Sequence, residues 1–243
     1  HQSKRICVAV RIVIHDETEE RVDRARRSTG FRHSAVRDVM YGLGDACSAT
    51  ECEPGTNLLI AGPPMTGKRD VGLDVLTHGS RRGDGAIVVT TQDGGEEVLR
   101  AYEGRLDGTV PAVGVVDCVS KQRGTSPTPA DRVSYASSPV DMTGIGIELS
   151  DFLERFYERG VRENRVLFDS LSTLLMYSNL QTAFRFLHVF TGRVQSADAL
   201  GLFVVDATAH DERTLSTLRQ LFDGEIEVRE SDAERSELRL KGV

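Results

Sequence analysis

The chain has 243 residues, of which 39% are hydrophobic and 28% charged, and a formal net charge of −7. This is the composition of a globular protein with enough apolar residues for one large α/β core. The acidic balance argues against a broad phosphate-neutralising face for nucleic acid. No apolar run approaches the roughly 20 residues of a membrane span, so a cytoplasmic protein is expected.

Residues 1–50 are set apart as an N-terminal segment. An alternating piece, ICVAVRIVI, follows a basic start. Without a small-residue cleavage site it reads as a strand rather than a signal peptide. A charged stretch, DETEERVDRARR, leads to SAVRDVMYGLGDA, expected as a short amphipathic helix ending at Gly42 or Gly44. Of the four cysteines, Cys7, Cys47, Cys52 and Cys118, none belongs to a pair of Cys/His pairs at metal spacing; reduced thiols are expected.

Residues 51–243 are regular and read as one domain. NLLIA (57–61) is a short strand, and helical character follows over 67–78. GAIVVTT (85–91) is a second strand, EEVLRAYEGRL (96–106) a helix and AVGVVDCV (112–119) a third strand. RVLFD (165–169) and LGLFVVDA (200–207) are further strands, separated by the helix-like LQTAFRFLHVFTGRVQS. Continuous apolar runs predict strands covered on both faces, and their alternation with helices predicts a mostly parallel twisted sheet flanked by helices. Residues 120–146, rich in Pro, Ser and Thr, read as a long loop. GEIEVRE and RSELRLKGV predict an antiparallel C-terminal hairpin around a polar turn.

The stretch NLLIAGPPMTGKRDVG carries the strongest chemical signal. Gly62, Pro63, Pro64, Met65, Thr66, Gly67 and Lys68 match the G-x-x-x-x-G-K spacing of a phosphate-binding loop. A strand precedes it and a helix follows, the context in which backbone amides and the helix dipole surround a phosphate. Lys68 would reach the β- and γ-phosphates as a point charge. Asp169 ends a buried strand about a hundred residues later, where a carboxylate holds magnesium through water. A chance glycine-rich turn and an Asp capping a strand end are the plain alternatives.

PGTNLLIAGPPMTGKR, GAIVVTTQD, RVLFDSLSTLL and GLFVVDATAHDE, in this order, resemble the RecA superfamily of P-loop ATPases in its KaiC-like branch. SSPVDMTGIGIELS resembles a poorly characterised haloarchaeal-type set within it. The resemblance covers residues 53–243. It implies a RecA-like core, ATP with Mg2+ as ligand, and assembly into rings or filaments with nucleotide at subunit interfaces.

The sequence departs from that pattern in two places. The hydroxyl residue expected after Lys68 is Arg69, which has five donors and no acceptor, so it cannot coordinate a cation; it either pairs with phosphate or turns to solvent. The acidic pair expected after the second strand is Gln92 and Asp93. Gln92 cannot take a proton, and Asp93 is shorter than Glu and one position on. The same residues also suit an ordinary polar turn. Asp206 and His210 are weaker candidates for γ-phosphate sensing, with Ser170 and Thr173 as supporting or capping residues. Arg193, Arg229, Arg235 or Arg239 is a possible finger toward a neighbouring subunit.

Three functions follow as expectations. The first is a KaiC-like ATP-binding regulatory protein with weak or lost hydrolysis. The second is a non-catalytic module for a protein partner. The third, a recombinase-type DNA-binding ATPase, is opposed by the acidic charge and the lack of a basic, aromatic stretch.

Overall fold

The computed structural model describes residues 9–10, 39–44, 47, 50–106, 108, 112–124, 130–229 and 237–242. The strands, in chain order, are β1 (Ala9–Val10), β2 (Tyr41–Gly42), β3 (Glu51–Cys52), β4 (Asn57–Gly62), β5 (Gly85–Thr90), β6 (Ala112–Asp117), β7 (Val133–Tyr135), β8 (Asn164–Asp169), β9 (Leu200–Asp206), β10 (Gly224–Arg229) and β11 (Glu237–Lys241). The helices are α1 (Lys68–Ser80), α2 (Gly95–Glu103), α3 (Met142–Glu158), α4 (Leu171–Tyr177), α5 (Leu180–Ser196) and α6 (Glu212–Arg219).

Nine strands form one sheet in the order β1-β11-β10-β4-β9-β8-β5-β6-β7, parallel throughout except for the antiparallel β10–β11 hairpin. The mostly parallel sheet and the hairpin are those expected from the sequence; the hairpin's polar turn lies outside the described residues. All six residues of β4, β5, β6 and β8 are buried because helices cover both faces. Side chains alternate between two cores. Leu58 and Ile60 of β4 join α1 and α2 on one face, while Leu59 and Ala61 join α3, α4, α5 and α6 on the other. Phe168, Phe190 and Phe203 are mutually in contact at the centre of the second core.

Two expectations are corrected. Tyr41–Gly42 is a strand paired with Glu51–Cys52, not the end of a helix. Tertiary contacts decide this: the buried Tyr41 hydroxyl donates to the Asp198 carbonyl (2.8 Å) and accepts from the Asn164 amide (3.1 Å). Residues 34–38 of that segment, the ICVAVRIVI piece apart from β1, and the DETEERVDRARR stretch lie outside the described residues. The long 120–146 loop contains β7, which adds in parallel to β6, and the first turns of α3, whose N-cap Asp141 accepts from the Gly144 amide at 2.9 Å. Residues 125–129 lie outside the described set.

A buried ion pair fixes the end of the domain opposite the strand tips. Arg165, 1% exposed, pairs through Nε with Asp84 (2.7 Å) and donates to the Gly42 and Val75 carbonyls at 2.7 and 3.0 Å. It thereby ties β8, α1, the turn before β5 and the strand β2 together.

Candidate functional site

The register aligns the C-terminal ends of the central strands. Gly62 pairs with Asp206, and Thr90 pairs with both Asp169 and Asp117. The sequence candidates thus meet at one edge of the sheet, where ligands bind in open parallel sheets.

Residues 63–67 turn the chain from β4 into α1. A Cβ on Gly62 would stand 2.3 Å from the Val228 carbonyl oxygen of β10, so no side chain fits there. Gly67, the N-cap of α1, has φ 80°, a left-handed conformation that glycine adopts without steric cost. Pro63 and Pro64 shape the loop but have no N–H to donate. Met65 projects outward, 99% exposed. The Thr66 hydroxyl (2.9 Å) and the Lys68 ammonium both donate to the Pro63 carbonyl, closing the loop on itself. Among the described residues, the amides of Gly67, Lys68 and Arg69 have no internal acceptor. These are the orphan donors of the first helical turn, aligned with the positive end of the helix dipole.

Burial pushes the Lys68 ammonium below its usual range, opposed by Asp206 and Asp169. Burial raises the Asp206 carboxyl, but the Thr208 hydroxyl and amide, together with Lys68, outweigh it and hold that carboxyl below the ordinary value. An anion reaching the loop would replace the Pro63 carbonyl as the partner of Lys68, exchanging a neutral acceptor for a charged one.

Arg69 turns toward two carboxylates rather than to solvent. Its Nη1 pairs with Asp93 Oδ2, and its Nε stands 3.3 Å from Asp169 Oδ2. The Thr91 amide (2.7 Å) and hydroxyl (3.2 Å) both donate to the Asp169 carbonyl and hold it in place. Burial raises the Asp169 carboxyl to about 6, with Arg69 opposing and Asp93 reinforcing. Gln92 donates through Nε2 to the Ser170 hydroxyl at 2.9 Å. Ser170 is the N-cap of α4 but makes no side-chain cap bond.

His210 Nε2 lies 3.0 Å from the Ser172 hydroxyl, which also accepts from the Asp206 amide at 2.8 Å. Thr173 lies within α4. Arg193 donates to the Gly146 carbonyl (2.5 Å) and the Ser150 hydroxyl (3.2 Å), so its guanidinium bridges α5 and α3. Arg229 pairs with Glu227, Arg239 lies in β11, and Arg235 is outside the described residues. Thr91 and Ser172, which position Asp169 and Asp206, escaped the sequence reading; their placement just beyond a buried strand end is the signal that points to them. Asp117, at the same edge, is saturated by the amides of Gly95, Val119 and Ser120 and by the Ser120 hydroxyl, and serves the turn into α2.

The arrangement offers donors to a polyanion. It offers little to activate water, since Gln92 is neutral and Asp93 is held by Arg69. Magnesium, which the KaiC-like resemblance implies through Asp169, does not fit these residues. Magnesium demands near-octahedral oxygen ligands. Here the position of the hydroxyl ligand carries a guanidinium, and that guanidinium already faces the carboxylates. Like charges 4 Å apart repel by about 4 kcal/mol per pair of unit charges at an effective dielectric near 20, and a divalent ion doubles this. Among the described residues, no group of three or more His, Cys, Asp or Glu side chains is arranged to hold a metal ion. No helix among them is long and apolar enough to cross a membrane.

Comparison with known proteins agrees with this geometry at the level of fold. A KaiC-like protein from the hyperthermophilic archaeon Pyrococcus horikoshii OT3 superposes with a TM-score of 0.55 at 13% identity, covering 82% of this chain and 83% of that one. An uncharacterised protein from Pyrococcus horikoshii, solved in complex with an unknown peptide, superposes with a TM-score of 0.56 at 14% identity, covering 74% and 79%. No curated protein matches the chain in sequence. Residues 55–228 match the model of a family of unknown function, DUF7504. The chain belongs to that family, and its fold is similar to that of the KaiC-like protein.

Proposed function

We propose that the protein is a KaiC-like ATP-binding regulator whose hydrolysis is slow or lost. One observation carries the reading: three backbone amides with no acceptor among the described residues, those of Gly67, Lys68 and Arg69, stand beside a lysine at a strand–loop–helix turn. In a fold of this class that combination receives the triphosphate tail, with Lys68 on the β- and γ-oxygens. The same site lacks a competent base. A lost general base lowers turnover by about 10²–10⁴, so binding outlasts hydrolysis. The nucleotide then acts as a signal, read in the cytoplasm through self-association or a protein partner. The exposed apolar residues Ile147 of α3 and Val189 of α5 favour such contacts, as does the peptide bound to the similar Pyrococcus horikoshii protein.

Isothermal titration tests this reading. ATP binds in the micromolar to sub-millimolar range, and Lys68→Ala weakens binding by about 10- to 100-fold, the value of one charge-assisted contact. No binding of ATP with or without magnesium would leave the second reading, a module for a protein partner without nucleotide. Retention on DNA at low salt would favour the third.

A further inference from the structure

We infer that Arg69 is a resident cation standing in for magnesium, so that the site takes a nucleoside triphosphate as the metal-free anion. This rests on the nucleotide reading above. Arg69 directly follows Lys68 at the start of α1, and its guanidinium joins two carboxylates brought from separate strand ends, Asp93 after β5 and Asp169 on β8. In a site built for a hydrated divalent ion, carboxylates from those two places face the metal. Here they face a fixed monovalent charge on a side chain.

The geometry leaves the guanidinium able to do more than neutralise them. Of its five N–H donors, Nε and one on Nη1 face Asp169 and Asp93, and among the described residues Nη2 has no partner. Those remaining donors lie at the head of the same helix whose first amides face the loop. A triphosphate seated on Lys68 therefore meets a second cation already in place and oriented by two carboxylates. Magnesium bound to the triphosphate would bring a further positive charge against that guanidinium, while occupying the phosphate oxygens that Arg69 would contact.

The test is titration of the full chain with ATP in EDTA and again in excess magnesium. Wild type binds at least about tenfold more tightly in EDTA, because magnesium ties up the oxygens that the two side chains contact. Arg69→Thr reverses the preference, binding ATP measurably only with magnesium, and Arg69→Lys keeps the wild-type order. Wild type that binds ATP only with magnesium, or equally well in both, overturns the inference and leaves the nucleotide reading standing. No binding in either condition overturns both.

Discussion

Asp169→Asn separates the ionic cost of the site from its packing. The Asp169 side chain is 5% exposed, and burial raises its carboxyl from 3.8 to about 6 despite Arg69. The unfolded chain releases this proton near pH 4. Between about pH 4 and 6 the native state therefore holds more protons than the unfolded state, and stability falls as pH rises. The favourable contribution is fully present below about pH 4 and is lost as pH passes through about 6. At 1.36 kcal/mol per pH unit, the charged carboxylate costs the fold on the order of 3 kcal/mol at neutral pH. Asn has nearly the same shape and does not ionise. The melting temperature of Asp169→Asn relative to wild type is thus close to zero difference at pH 4 and rises to about +6 to +12 °C at pH 7.5, at about 2–4 °C per kcal/mol for a chain of this size. Differential scanning calorimetry at pH 4, 5, 6 and 7.5 measures it. A difference that stays flat with pH, or a variant less stable than wild type at pH 7.5, would refute burial as the dominant influence on this carboxyl.

Other substitutions test the frame and the chemistry. Arg165→Met strands the Asp84 carboxylate and two carbonyls, and lowers stability by about 3–5 kcal/mol in a denaturant titration; adding Asp84→Asn recovers part of the loss, and a loss below about 1 kcal/mol would contradict the burial argument. Gly62→Ala forces a methyl group against the Val228 carbonyl, lowering stability by about 1–3 kcal/mol and weakening ATP binding; an unchanged melting temperature would show that β10 yields freely. Arg69→Thr combined with Gln92→Glu restores a hydroxyl and a base and raises ATP hydrolysis by about tenfold or more in a phosphate-release assay with magnesium; an unchanged rate contradicts the attribution of slow turnover to these positions.

The strands easiest to read in the sequence are those whose physics is local. β4, β5, β6, β8 and β9 are continuous apolar runs because helices cover both faces, and that burial leaves a mark on every residue. β7 is three residues long and includes Ser134, so only its pairing with β6 identifies it. α3 begins after a Ser-Ser-Pro stretch and carries Gly144 and Gly146 in its first turns, residues that weaken the helical signal. Tyr41 sits in a helix-like pattern, but its hydroxyl finds partners more than a hundred residues away, which no local period encodes. The glycine-rich turn from β4 into α1 was legible because its residues are consecutive in the chain. The contact of Arg69 with Asp93 and Asp169 was not, because it depends on the register that places Thr90 opposite Asp169. The Arg165–Asp84 pair escaped for the same reason: a lone Arg in an apolar strand gives no hint of its distant partner.

Amide chemical shifts of Gly67, Lys68 and Arg69 report on the anion cradle most directly. In ¹⁵N-labelled protein, ATP moves these three resonances together and downfield, with the same titration midpoint as calorimetry, and inorganic triphosphate reproduces the shifts. ATP binding that leaves all three resonances in place would contradict the assignment of this loop as the nucleotide site.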